Sequence, residues 1–433
     1  MPPPSLPRHK HTGVCPPARG AVIAALVRAQ PAPVWLVVTE NLRAAEQLAE
    51  DIAFFHAAAE GSAPLRALVF PESTPDGADM REAFATSSDR LTVLSHLRAT
   101  RGLGRTPDTL VVTTTPAALL QSVPALEEFA TREITLTRGQ AQPFQGLIEA
   151  LHALDYDSEA VCEAPGHYAV RGGIIDVYPV TTTQPYRLDF FGDEIESIRE
   201  FDPVTQRSGA AVESVSLAAS PRVRLGVSQT GLADYLSPGT HLLCVEPAAL
   251  DGEFSALARA AHDAFAPLLA RCAAAFGMSD LDEASWLFDE ATTEATWDTE
   301  SLAHHRRYPD DALVAQERLS VEEDARHEFL RQIATWRKAG YDLVIVSAKE
   351  GEEQRAQEIL AEHPDLKGLQ PRWLRGGMNE GFRITFREGA DSDLMWAGVG
   401  RPPPVIKHGW GRPPQKKNQS PPGRKADTQS RAP

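Results

Sequence analysis

The sequence predicts a multidomain chain that combines α/β with α+β architecture, and three observations carry that reading. Short apolar runs alternate with amphipathic helical stretches over residues 21–130, the signature of a mostly parallel sheet with crossover helices. From about Thr131 the pattern becomes a helix followed by closely spaced strands with glycine-bearing turns. The 433 residues hold about three domains at roughly 100–200 residues each.

Residues 1–20 contain six prolines and read as disordered. Val34–Val38 is a buried-strand run, and Asn41 is placed to cap a helix whose apolar face carries Leu42, Ala45, Leu48, Ile52 and Phe55. Leu65–Phe70 and Leu110–Thr113 are further strands. Thr115-Pro116 opens another helix, with proline at the first helical position where its missing N–H costs little. In the α+β unit, residues 131–212, Leu147, Ile148, Leu151 and Leu154 form one helix face ahead of the strand RGGIID. After Ser208 the chain reads as alanine-rich and helical, interrupted by a strand over His241–Pro247 and divided near Pro267. Residues 213–310 are grouped with 21–130 as one domain by the family resemblance that residues 168–208 carry. A small α/β domain follows over 311–384. Ser320 and Glu323 form a capping-box pattern, Gly340 is a C-cap, and DLVIVS is a strand. Periodicity fails beyond Ile384, and residues 385–433 read as a disordered, basic, proline-rich tail.

Charge follows the same division. The chain carries −16 overall, but residues from Arg401 onward carry +7, which leaves −23 for residues 1–400. An acidic body repels phosphate and argues against strong non-specific DNA binding. No apolar run is long enough to span a membrane, and no signal-peptide core is visible. Cys15, Cys162, Cys244 and Cys272 are scattered without CxxC spacing. Reduced thiols in a cytoplasmic protein, with no zinc site, are therefore expected.

The densest information lies in residues 168–208. YRLDFFGDEIES reads as a β-hairpin around a Gly-Asp turn. Alternation places Tyr186, Leu188 and Phe190 on one face and Arg187, Asp189 and Phe191 on the other. The first is a core face. The second leaves two readings open: either Phe191 is covered and Arg187 pairs locally, or the face docks a partner.

The same stretch, from RGGIIDVYP through PYRLDFFGDEIESIREFD, resembles a segment shared by the excision-repair protein UvrB and the transcription-repair coupling factors. The resemblance extends more weakly over residues 20–384 and is closer to the coupling factors. It implies a degenerate UvrB-like parallel α/β domain with an inserted α+β domain that binds UvrA. The contacts it implies are Arg171, Arg187 and Phe191, and substituting alanine for Arg187 or Phe191 is expected to abolish UvrA binding with the fold intact. The family in full length is an ATP-driven DNA translocase using ATP and magnesium. RNA polymerase and DNA are engaged there through domains that find no counterpart in this sequence. The departure after GFRI is read as a truncation or frameshift.

Residues for the motor chemistry are missing from this sequence. A phosphate-cradling loop needs glycine N–H groups and a lysine, yet no Gly-Lys dipeptide occurs, and the corresponding HTGVCPPARGAVIAAL carries Pro16 and Pro17. Asp282-Glu283 and Asp193-Glu194 read as solvated acidic pairs rather than magnesium ligands, and His304–Arg307 as an exposed linker. Gly172-Gly173 reads as a backbone requirement. No catalytic residue, metal or cofactor is expected here. The function expected is a UvrA-recruiting adaptor; the alternatives are an ATP-dependent translocase or a UvrB-like damage-binding protein.

Overall fold

A computed structural model describes residues 6–59, 61–73, 80–102, 108–182, 184–220, 229–252, 268–303, 315–385 and 405–406. The chain opens with β1 (Arg8–Thr12), α1 (Arg19–Ala29), β2 (Val34–Val38), α2 (Leu42–Ala57), β3 (Leu65–Phe70), α3 (Met80–Gly102) and β4 (Thr109–Thr114). Asn41 caps α2 as its chemistry requires, its Oδ1 accepting from the Ala44 N–H at 2.9 Å. Thr115 does the same for α4 (Pro116–Leu120), accepting from the Ala118 N–H at 3.2 Å. The short β5 (Val123–Pro124) and α5 (Leu126–Ala130) lead into the inserted unit.

That unit contains β6 (Glu133–Thr137), α6 (Phe144–Ala153), β7 (Asp157–Ser158), β8 (His167–Arg171), β9 (Ile174–Val177), β10 (Tyr186–Phe191), β11 (Glu194–Phe201), β12 (Ser208–Ala211) and β13 (Ser214–Ala218). Six of these strands form one sheet in the order β12-β11-β10-β9-β8-β7, while β13 pairs with β6. Leu147, Leu151 and Leu154 are buried against Tyr168, Ile175, Val177, Leu188, Ile195 and Ile198. Each such side chain contributes about 1.5–3 kcal/mol when fully removed from water.

After β14 (Gln229–Thr230), the strands β15 (Thr240–Val245), β16 (Cys272–Met278) and β17 (Thr293–Thr296) return to the first sheet. Its order is β17-β1-β16-β15-β2-β4-β3, and every neighbouring pair runs parallel. The third unit is β18 (Asp298–Ser301), α7 (Ala315–Lys338), β19 (Val344–Ser347), α8 (Glu350–Glu362), β20 (Arg372–Arg375), β21 (Phe382–Thr385) and β22 (Val405–Ile406). Its five strands share a mixed sheet. Phe382, Val344 and Val346 join α1, α2 and one face of the parallel sheet in a single core, with the Phe55 and Phe382 rings 5.7 Å apart.

Five expectations are corrected. Residues 8–12, expected to be disordered, are a strand held between β16 and β17. The prolines flank this segment, at 2–4, 7, 16 and 17, and leave its own N–H groups free to pair. Residues 208–218 are not helical, because SGAA and SVSLA pair with β11 and β6, whereas 247–252 and 268–271 are helical as expected. CAAAFGM, also expected to be helical, is the buried strand β16, where small residues suit the tight packing: a Cβ on Gly277 would lie 2.2 Å from Phe288 Cζ. Helix α7 begins at Ala315, so Ser320 is interior and caps nothing, although Gly340 does end the helix region at φ +84°. The tail lies outside the described residues except Thr385, which ends β21, and Val405 and Ile406, which form β22 beside β19 and β21 rather than being disordered.

Among the described residues no helix is long and apolar enough to cross a membrane. No group of three or more potential metal ligands is found among them either. His304–Arg307 and Pro267 lie outside them.

Candidate functional site

The sheet of the inserted unit packs one side on α6, while its other side exposes Arg171, Phe191, Arg199 and Ala211 but buries Ala169 and Asp176; register assigns every residue to one side or the other. On the core side, Tyr168, Val177 and Tyr186 are cross-strand partners, as are Val170, Ile175, Leu188 and Ile198. On the open side lie two rows. One runs Arg171, Ile174, Asp189, Ser197; the other runs Ala169, Asp176, Arg187, Arg199, Ala211. Phe191 ends the open side of β10, paired with Glu194. A β-bulge between Asp189 and Phe190 inserts Glu196 into β11 and restores the inward direction of Ile195.

The two tight turns explain the glycines. Gly192, at φ +63°, and Asp193 form the two-residue connection between β10 and β11, with glycine at the position such turns reserve for positive φ. Gly172, at φ +62°, and Gly173 likewise join β8 to β9. Asp193 Oδ1 accepts from the Phe144 N–H at 3.2 Å, at the start of α6.

Phe191 stands 80% exposed at the hairpin tip. Phenyl area left in water there gains nothing for the fold, so the open reading of this residue survives. Arg171 is also exposed, its Nη2 donating to the Ala160 carbonyl at 3.1 Å. Arg187 differs sharply. Its Nε and Nη2 donate to Asp176 Oδ1 and Oδ2 at 2.7 and 2.9 Å, a bidentate pair. Its Nη1 donates to the Gln206 carbonyl at 3.3 Å and to Ser208 Oγ at 3.2 Å. The guanidinium carbon lies 5.1 Å from the centre of the Phe201 ring. The Asp176 side chain is only 1% exposed and that of Arg187 16%. Asp176 therefore holds the guanidinium pKa above its usual value. For Arg187 the local-pairing reading is the one the geometry supports.

The structure brings Arg171, Arg187 and Phe191 to one face but leaves only Arg171 and Phe191 presented to solvent. Beside them is a shallow hollow of about 640 Å³ lined by Ile174, Asp189, Ser197, Arg199 and Arg138 among others. Arg199 went unremarked in the sequence reading. Its signal was its spacing of two residues from Ser197 on the second strand of the hairpin, which shares its side of the sheet.

The loop after β1 is the segment in which the sequence lacks a phosphate-cradling pattern. Its backbone donors are already spent. The N–H groups of Gly13 and Val14 bond to the carbonyls of Asp280 and Ser279 at 3.1 and 3.0 Å. The Cys15 N–H bonds to Thr299 Oγ1 at 2.7 Å. A Cβ on Gly13 would lie 2.2 Å from the Trp297 carbonyl oxygen. Arg19, at the head of α1, pairs with Glu246 at the end of β15, and Glu246 also accepts the Asp280 N–H at 3.2 Å. Glu246 was a second omission, because the acidic pairs weighed in the sequence did not include the glutamate ending the strand HLLCVE. Of the weighed pairs, Asp282 is held by Lys10.

The chain is similar in sequence to known proteins. Residues 134–221 match the family described as UvrB interaction domain. The transcription-repair-coupling factor of Myxococcus xanthus is 33% identical over 216 residues, 48% of this chain and 17% of the relative. Those of Bacillus subtilis and Mycobacterium bovis are 27% and 32% identical over 201 and 204 residues, each with 16% of the relative covered. The chain thus spans about a sixth of the length of these curated relatives. Over nearly half its residues it is similar to transcription-repair-coupling factors, and residues 134–221 are similar to the UvrB interaction domain.

Proposed function

We propose that this chain is an adaptor for transcription-coupled repair, whose inserted domain binds UvrA through the open face of its six-stranded sheet. The observation that carries this reading is Phe191, an exposed phenylalanine at the tip of a rigid hairpin inside the segment that matches the UvrB interaction domain. An aromatic anchor held by a rigid scaffold loses little conformational entropy on docking, which is what makes such residues hot spots. Arg171 supplies an accessible cation on the same face. Arg187 acts through structure, fixing β9, β10 and the 206–208 segment relative to one another.

The translocase alternative finds less support. The loop after β1 has given its Gly13, Val14 and Cys15 N–H groups to its own chain, and an Arg–Glu pair stands beside it. We infer that it holds neither ATP nor magnesium, and that any motor activity of the larger relatives resides in parts outside this similarity. RNA polymerase and DNA contacts are assigned to those parts as well.

The purified chain should retain UvrA on an affinity resin without nucleotide, and should show no DNA-stimulated ATP hydrolysis. Failure to retain UvrA would remove the adaptor reading. Measurable ATP turnover by this chain would restore the motor.

A further inference from the structure

The proposed docking face has a cation whose charge the fold does not use. Three arginines line the hollow beside Phe191 or lie in register with it: Arg138, Arg187 and Arg199. Arg187 is spent on Asp176, and Arg138 pairs with Glu213 at 3.1 Å. Arg199 is exposed, and among the described residues its side chain makes no ion pair or hydrogen bond. It sits directly across the strand pair from Arg187 and beside Ala211 on the next strand. Its cross-strand partners, Arg187 and Ala211, offer it no carboxylate of their own, so this placement gives the fold no ion pair through Arg199. The hollow's own carboxylates are otherwise placed. Asp189 accepts from Ser197 Oγ at 2.5 Å, and Glu196 belongs to the bulge.

We propose that Arg199 is the specificity-determining cation of this face and pairs with a carboxylate contributed by the protein partner when Phe191 docks. The inference rests on the adaptor reading above and deepens it. It commits the partner to an acidic side chain above the β10–β11 pair, adjacent to the apolar site that receives Phe191. It also reassigns the electrostatic contact within the hairpin from Arg187, which is locked, to Arg199, which is free. A bidentate guanidinium–carboxylate pair forming across the interface would account for an arginine at this position where lysine would serve solubility equally well.

The test measures UvrA affinity for the wild-type chain and for Arg199→Ala, Arg199→Glu and Phe191→Ala, at two salt concentrations. Arg199→Ala is expected to weaken binding about tenfold, and Arg199→Glu about a hundredfold, because reversal adds repulsion to the loss. The salt dependence of Arg199→Ala should be shallower than that of the wild type. Both variants should melt at or above the wild-type temperature, which separates a contact from a structural role. If Phe191→Ala weakens binding while Arg199→Ala and Arg199→Glu bind like wild type, the inference is overturned and the adaptor reading stands. If all three variants bind like wild type, both fall.

Discussion

Replacing Arg187 with alanine should unfold the docking face rather than trim it. The substitution removes four hydrogen bonds and leaves the Asp176 carboxylate, 1% exposed, without its cation. Breaking a buried pair by deleting one partner costs about 3–5 kcal/mol. Part of the Arg187 head reaches solvent, which places the expected loss at the lower end, about 3 kcal/mol. At 1.4 kcal/mol per decade that is roughly a hundredfold rise in the population of open sheet. Hydrogen–deuterium exchange of the intact chain reads this directly, as amides of β9 and β10 exchanging about a hundredfold faster while β2 and β4 are unchanged. The double variant Arg187→Ala with Asp176→Ala should recover most of the protection, because no charge is left buried. Wild-type protection in the single variant would refute the reasoning, and so would a double variant no better than the single one. Loss of UvrA binding in Arg187→Ala would therefore say little about contact, contrary to what the sequence alone suggests.

Three further outcomes follow from other parts of the molecule. Gly13→Ala should lower the denaturation midpoint markedly, since the left-handed backbone alone costs about 1–2 kcal/mol and the new Cβ meets the Trp297 carbonyl; an unchanged midpoint would contradict the close approach. Burial lowers the pKa of His11 to about 4, and that of His241 likewise, with His9 adding to both shifts. The unfolded chain takes up these protons near pH 6.5, so stability should be full above that value and decline as pH falls toward about 4. The decline should flatten in His11→Leu, and an identical pH profile would count against it. Millimolar ATP with magnesium should leave the melting temperature where it is, whereas a concentration-dependent rise would show that the loop after β1 binds nucleotide.

Local chemistry made much of this legible in advance. Asn41 and Thr115 cap where their side-chain oxygens suggested, and the run VWLVV is buried throughout as a central strand. The hairpin turn at Gly192-Asp193 and the two faces of β10 were written in residue alternation and a single glycine. What escaped was decided by distant neighbours. CAAAFGM has helical propensity, but two flanking parallel strands and the Phe288 ring select an extended chain of small residues. RHKHT lacks an apolar pattern, yet supplies the strand between β16 and β17, where Trp297 Nε1 donates to His11 Nδ1 at 3.2 Å. At the candidate site, alternation grouped Arg187 with Phe191 correctly but could not reveal Asp176 across the neighbouring strand. That partner gives Arg187 a structural task within the sheet, and only the register makes it visible.

The central claim is that an exposed phenylalanine on a rigid hairpin anchors UvrA. Phe191→Ala tests it most directly, because a side chain 80% exposed can be truncated with little effect on the fold. The measurement is the dissociation constant of UvrA with the wild-type and Phe191→Ala chains, alongside their melting temperatures. The account predicts equal melting temperatures and a loss of affinity of about 30- to 1,000-fold, the range of a hot-spot truncation. Equal affinity for the two chains would contradict it.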